Sequence, residues 1–127
     1  YVGAQALAAA LNYVSSIGIG NIEAHEHELM KHATARLSQI EGVTIIGNAK
    51  NKAGAISFMV AGAHPADIGM ILDKKGIAIR TGTHCTEPVM QFYNIPGTAR
   101  ISFGMYNTLN EIDIFCDTLQ KVSKMFV

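Results

Sequence analysis

Near its end the chain carries Thr108-Leu-Asn-Glu111, which has capping-box spacing, followed by Ile112, Phe115, Cys116, Leu119, Val122 and Phe126 on a single helical stripe. A helix with one unbroken apolar face must bury it, and that demand restricts the fold more than any other feature. The upstream sequence offers a surface to bury it on. Residues 43–47, 55–60, 77–80 and 98–103 are short, β-branched or alternating runs of the kind that suit a pleated sheet. Between the first two, Asn48-Ala-Lys-Asn-Lys-Ala-Gly54 is polar and reads as a turn.

The other helices follow from periodicity and caps. Leu7, Ala10, Leu11, Val14 and Ile17 recur at three-and-four spacing, which predicts a helix over residues 2–16 closed by Gly18 and Gly20. Asn21 stands where it could cap a second helix, running to about Ile40 with Ile22, Leu29, Ala33, Leu37 and Ile40 facing inward. His64-Pro65 opens a third, because proline is preorganised for the first helical turn and its missing donor is not needed there. Ile68, Ile71 and Leu72 point inward from it, and Gly76 ends it. A short helix from Pro88 to Tyr93 precedes the turn at Pro96-Gly97. The order α-α-β-β-α-β-α-β-α predicts a single α/β domain, α+β-like in detail: a small mixed or antiparallel sheet with helices packed on it.

Ten basic and ten acidic side chains cancel, so no broad field draws the chain to nucleic acid or to an anionic membrane. No apolar run approaches the ~20 residues a membrane-crossing helix needs, and the first residues lack the order of a signal peptide. The expectation is a cytoplasmic setting with both cysteines reduced. The chain begins at Tyr1 and enters helical sequence at once, which suggests a piece of something larger.

Several residues invite chemical readings. The run His25-Glu-His-Glu-Leu-Met-Lys-His32 resembles a zinc motif only superficially: Lys31 stands four after His27 and Leu29 four after His25, so a solvated helix face is expected and no metal site. Cys116 lies on the apolar stripe and reads as a small buried hydrophobe. Cys85 differs, because Thr83, His84, Thr86 and Glu87 surround it and Gly82 frees the backbone to present the thiol from a loop. Thiolate is the nucleophile; nearby cations favour it, whereas a close Glu87 carboxylate opposes it. On these features a functional cysteine and an ordinary loop cysteine stand level. Arg100, within an otherwise half-buried strand, either grips an anion or makes a structural ion pair, and Arg80 carries the same two readings.

The run Asp67-Ile-Gly-Met-Ile-Leu-Asp-Lys-Lys-Gly-Ile-Ala-Ile-Arg80-Thr-Gly-Thr-His-Cys85, then Pro88, Met90, Tyr93, Pro96, Ala99-Arg100 and Met105-Tyr-Asn-Thr108, resembles the C-terminal part of group II, Suf-type cysteine desulfurases. These are fold-type I enzymes of the class V aminotransferase family that use pyridoxal 5'-phosphate, and selenocysteine lyases share much of the pattern. The resemblance covers about residues 2–126. It implies that Cys85 takes sulfur from L-cysteine as a persulfide, leaving L-alanine, and that Arg100 holds the substrate carboxylate. Arg80 and His84 then support the loop and its charge. It further implies passage of the sulfur to a Suf acceptor protein for iron–sulfur cluster assembly, and a homodimeric parent. The family often has histidine in place of Thr83, alanine in place of Thr86 and a neutral residue in place of Glu87.

Nothing in the sequence resembles the family's lysine segment that anchors the cofactor, or the aspartate and histidine that hold its ring. Residues 1–127 therefore read as the small C-terminal domain with its leading helix, about 1–17, without the large cofactor-binding domain. Such a piece is expected to bind no cofactor and to lack turnover by itself. The rival readings are a cofactor-free thiol or persulfide relay, or binding module, and a selenocysteine lyase.

Overall fold

The capping box forms. The Thr108 N–H donates to the Glu111 carboxylate at 2.8 Å and the Glu111 N–H donates to the Thr108 hydroxyl at 3.3 Å, opening helix α5, Leu109–Ser123. The structure is a computed structural model that describes residues 1–47, 49, 52 and 54–126. Its order is α1 (Val2–Ile17), α2 (Ile19–Leu37), β1 (Val43–Ile46), β2 (Ala55–Val60), α3 (Pro65–Asp73), β3 (Arg80–Gly82), α4 (Glu87–Tyr93), β4 (Thr98–Ser102) and α5, matching the order expected from sequence.

The sheet resolves to the antiparallel alternative, with strand order β1-β2-β4-β3. Because β4 lies antiparallel to both β2 and β3, those two run parallel, and the β2-α3-β3 crossover spans a strand inserted last in the sequence. Side chains alternate across each strand. One face carries Ile56, Phe58, Val60, Ala99 and Ile101 into the core. There they meet Leu29, Ala33 and Leu37 of α2, Ile68 and Leu72 of α3, and the α5 stripe. Phe58 is fully buried and meets the Phe115 ring edge-on, with centroids 6.0 Å apart. Cys116 is buried in this layer as expected.

Several local expectations are corrected. Asn21 does not cap α2; Gly18 does, at φ 91°, and the Asn21 amide donates to the Ile17 carbonyl inside the helical run. Residues 77–79 are not strand: pairing with β4 begins at Arg80. The histidine run is not simply solvated, because His25 and His32 are half-buried and bonded across the fold. The Asn107 carbonyl accepts from His25 Nε2 at 2.9 Å, and His32 Nε2 lies 2.8 Å from an Asp113 oxygen. The same Asp113 oxygen accepts from Arg36 at 2.7 Å, clamping α2 to α5. The turn expected over residues 48–54 falls mostly outside the described residues.

Truncating the ring at the centre of the sheet should outweigh losing a cap at the edge of the fold. Phe58→Ala is expected to lower the unfolding free energy by about 3–5 kcal/mol and Thr108→Ala by about 1 kcal/mol, read by urea denaturation. Equal losses would place the anchor of the fold elsewhere.

Candidate active site

Strand β3 delivers the chain into the turn at Thr83–Thr86, closed by the Thr86 N–H donating to the Thr83 carbonyl at 2.9 Å. The Thr86 hydroxyl donates to the same carbonyl at 2.7 Å. Both central residues have positive φ, His84 at 55° and Cys85 at 60°, the sign pattern of a type I′ turn. That conformation usually falls to asparagine and glycine; for side chains with a Cβ it costs on the order of 1–2 kcal/mol per residue. It persists because neighbours hold it, and it presents Cys85 exposed at the tip.

One of those neighbours is the start of β4. His84 Nε2 lies 3.1 Å from the Thr98 carbonyl and 3.0 Å from its hydroxyl. A carbonyl can only accept, so Nε2 carries a proton. Nδ1 is buried and has no partner. Burial pushes the His84 pKa below its ordinary value near 6.5; the Arg100 and Arg80 guanidiniums press the same way, against the bond to Thr98. These effects favour the neutral imidazole. Thr98 is fully buried, and its Cα partner across the sheet is Gly82, the residue before the turn. Just ahead of it, Gly97 brings the two backbones together: a Cβ there would lie 2.9 Å from the Gly82 carbonyl carbon and oxygen.

Arg80 and Arg100 are Cα partners, so both rise on the sheet face opposite the helices. Like charges at directly paired positions repel. Among the described residues the salt bridges involve His32, Arg36, Asp113 and Asp117, and neither Arg80 nor Arg100 takes part in one. Arg100 Nε is buried with no hydrogen-bond partner. Of the two readings for Arg100, the structure shows no ion pair, and it leaves a planar donor group able to meet an anion, with a second cation and the cysteine turn nearby.

The structure thus pairs Arg80 with Arg100 on one sheet face, close enough for their charge to act on His84, which shares its turn with Cys85. Glu87 opens α4 on the far side of the turn, where a groove of about 380 Å³ is lined by Thr83, Glu87, Met90 and Asn94. Another groove, about 420 Å³, opens where residues 77–79 diverge from β4, and none of the four site residues lines it. Sequence reasoning missed Thr98 and Gly97. A threonine opening a strand looks ordinary, and only the β3–β4 register shows that it faces His84.

Residues 1–115 match the family model described as Aminotransferase class-V. The chain is 44% identical over 119 residues to a probable cysteine desulfurase of Xylella fastidiosa strain Temecula1, covering 94% of this chain and 29% of that protein. Among solved structures it is similar to the apo cysteine desulfurase of Thermococcus onnurineus NA1, with a TM-score of 0.90 and 41% identity over 94% of this chain and 30% of the other. The Escherichia coli cysteine desulfurase CsdA, solved as an S-sulfonic acid, superposes with a TM-score of 0.86 at 27% identity over 95% of this chain and 30% of that one. The chain spans under a third of the length of each.

The two thiols should separate cleanly by reactivity. Cys85 is exposed, whereas burial pushes the Cys116 thiol up to about 11. Iodoacetamide at pH 8 is expected to modify Cys85 and to spare Cys116 until the chain unfolds, as read by peptide mass spectrometry. Comparable native rates would show that the α5 face opens.

Proposed function

The chain belongs to the class-V aminotransferase family, and we propose that it is the C-terminal part of a Suf-type, pyridoxal 5'-phosphate-dependent cysteine desulfurase whose persulfide forms on Cys85. The observation that carries this reading is the exposed Cys85 on a constrained turn whose approach strand pairs Arg80 with Arg100, a half-buried cation with no acidic partner among the described residues. Similarity to cysteine desulfurases over nearly the whole chain supports it.

Among the described residues none fits the anchoring role for the cofactor. Pyridoxal 5'-phosphate needs a lysine beside the reacting centre. Lys31, Lys74, Lys75, Lys121 and Lys124 are exposed on or beside helices, and Lys52 lines a groove with Glu23, Glu26 and His27. Its seat is assigned to the rest of the parent, and this chain supplies the sulfur-accepting and carboxylate-holding side.

On that side Arg100 offers its fork to the substrate α-carboxylate, fixing the end of cysteine that does not react. Arg80, paired with it, adds positive charge to the same face. The Cys85 thiolate forms an S–S bond to the substrate sulfur as the substrate C–S bond breaks. The bonding pair stays on the substrate carbon, and a proton makes it the methyl group of alanine. His84 stays neutral and holds the turn through Thr98. The exposed persulfide is then open to an acceptor thiol, which suits delivery of sulfur to a cytoplasmic Suf acceptor for iron–sulfur cluster assembly. The parent is taken to be a homodimer.

In the full-length protein, Cys85→Ser is expected to cut persulfide and alanine formation from L-cysteine by about 100-fold or more with cofactor absorbance retained. Persulfide formation by that variant at the normal rate would refute the assignment. The rate on selenocysteine, measured alongside, decides between desulfurase and lyase. Sulfur accepted from a persulfide donor by a full-length protein that makes no alanine would favour the relay.

Removing the carboxylate fork should act on binding. A charge-assisted pair is worth about 1.5–3 kcal/mol, so Arg100→Ala is expected to raise KM for cysteine roughly 10–150-fold. An unchanged response to cysteine concentration would assign Arg100 a structural role.

A further inference from the structure

Gly69 stands in the interior of α3, where glycine is a poorer helix former than alanine and so calls for a packing reason. The reason lies in β3. A Cβ at position 69 would come 2.8 Å from Cγ2 of Thr81, nearer than real Cβ atoms approach, but 3.6 Å from its Oγ1, an ordinary contact. Threonine is branched at Cβ and stiff at χ1, so the methyl cannot swing aside freely. Thr81 is the middle residue of β3. On one side of it Arg80 pairs with Arg100, and on the other Gly82 pairs with Thr98 at the foot of the cysteine turn. Alternation puts the Thr81 side chain toward α3 and the arginines on the opposite face.

We propose that Gly69 is a positioning residue for the Cys85 site. Its missing Cβ lets α3 act as a backstop against Thr81, fixing the height of β3 over the core and with it Arg80 and the turn. Added bulk at position 69 is relieved by moving either the helix, which is seated in the core through Ile68 and Leu72, or the three-residue edge strand. The strand gives way. Displacements approaching 1 Å at a reacting group reduce rates by up to about 100-fold. The catalytic consequence rests on the desulfurase reading; the geometric one does not.

The test uses the full-length protein with Gly69→Ala, the double variant Gly69→Ala/Thr81→Ser, and Gly104→Ala as control, since nothing lies within 4 Å of a Cβ at position 104. Gly69→Ala is expected to shift the Cys85 alkylation rate by about threefold or more and to lower kcat for alanine formation roughly tenfold, with helical circular dichroism retained. The double variant, lacking the obstructing methyl, should return both to within about twofold of the starting protein. Gly104→Ala should match the starting protein. Unchanged alkylation and kcat in Gly69→Ala overturn the inference, as does a double variant no better than the single. A single variant that fails to fold while the double folds and alkylates normally supports it; failure of both overturns it. Absence of alanine formation by the unsubstituted protein would overturn the desulfurase reading instead, and the alkylation comparison would still decide the role of Gly69.

Discussion

The architecture hangs on one strand paired on both edges. β4 bonds to β2 on one side and β3 on the other, and its alternation sends Ala99 and Ile101 into the helical layer while Thr98, buried under the turn's histidine, and half-buried Arg100 lie on the opposite face. A period of two residues thus ties the deepest part of the core to the charged surface. A slip of one residue would bury the guanidinium and expose the apolar pair, which makes the register of the site as secure as the core. The cysteine turn inherits that security indirectly: its histidine bonds to Thr98, and its approach strand pairs with the residues that follow.

Two unfavourable features coincide at the site, and both are local. His84 and Cys85 occupy left-handed backbone, and two arginines face each other across paired strands. Neither feature contributes to stability by itself. Burial of Thr98 and the bonds from His84 Nε2 hold the turn in its uncommon shape, while His84 Nδ1 and Arg100 Nε are buried with no hydrogen-bond partner among the described residues. Strain and unsatisfied polarity gathered around one exposed thiol fit a group that must meet reactants, because such costs persist where the surroundings over-determine the geometry.

Element order was legible because it depends on local signals: the Thr108–Glu111 capping box, His64-Pro65 at a helix start, and alternation over residues 55–60. What the sequence could not show is nonlocal. Insertion of β4 between β2 and β3 decides which side chains share a face, so the Arg80–Arg100 pairing and the His84–Thr98 bond were hidden although every residue in them was in view. Asn21 was misread for a related reason: a good capping side chain cannot reveal that Gly18, at positive φ, has already turned the chain into the next helix. His25 and His32 looked solvated because their partners, Asn107 and Asp113, lie some 80 positions away in sequence.

The same separation explains why family resemblance and local chemistry give answers of different weight. Around Cys85, the neighbouring residues alone favour activity no more than accident, since adjacent side chains on a turn need not meet. In the folded chain the partners that matter lie more than a dozen residues on and across the sheet: Thr98 bonds to His84, the turn neighbour of Cys85, and Arg100 pairs with Arg80 on the strand that leads into the turn, with no salt bridge among the described residues. Under the proposed function, the thiol would accept sulfur from a substrate and release it to a partner, and such a group must be held firmly yet remain exposed. A strained turn at the edge of the sheet, pinned from below by β4 and free above, satisfies both demands. A cysteine on the α5 stripe, such as Cys116, satisfies neither: burial keeps its thiol protonated and out of reach.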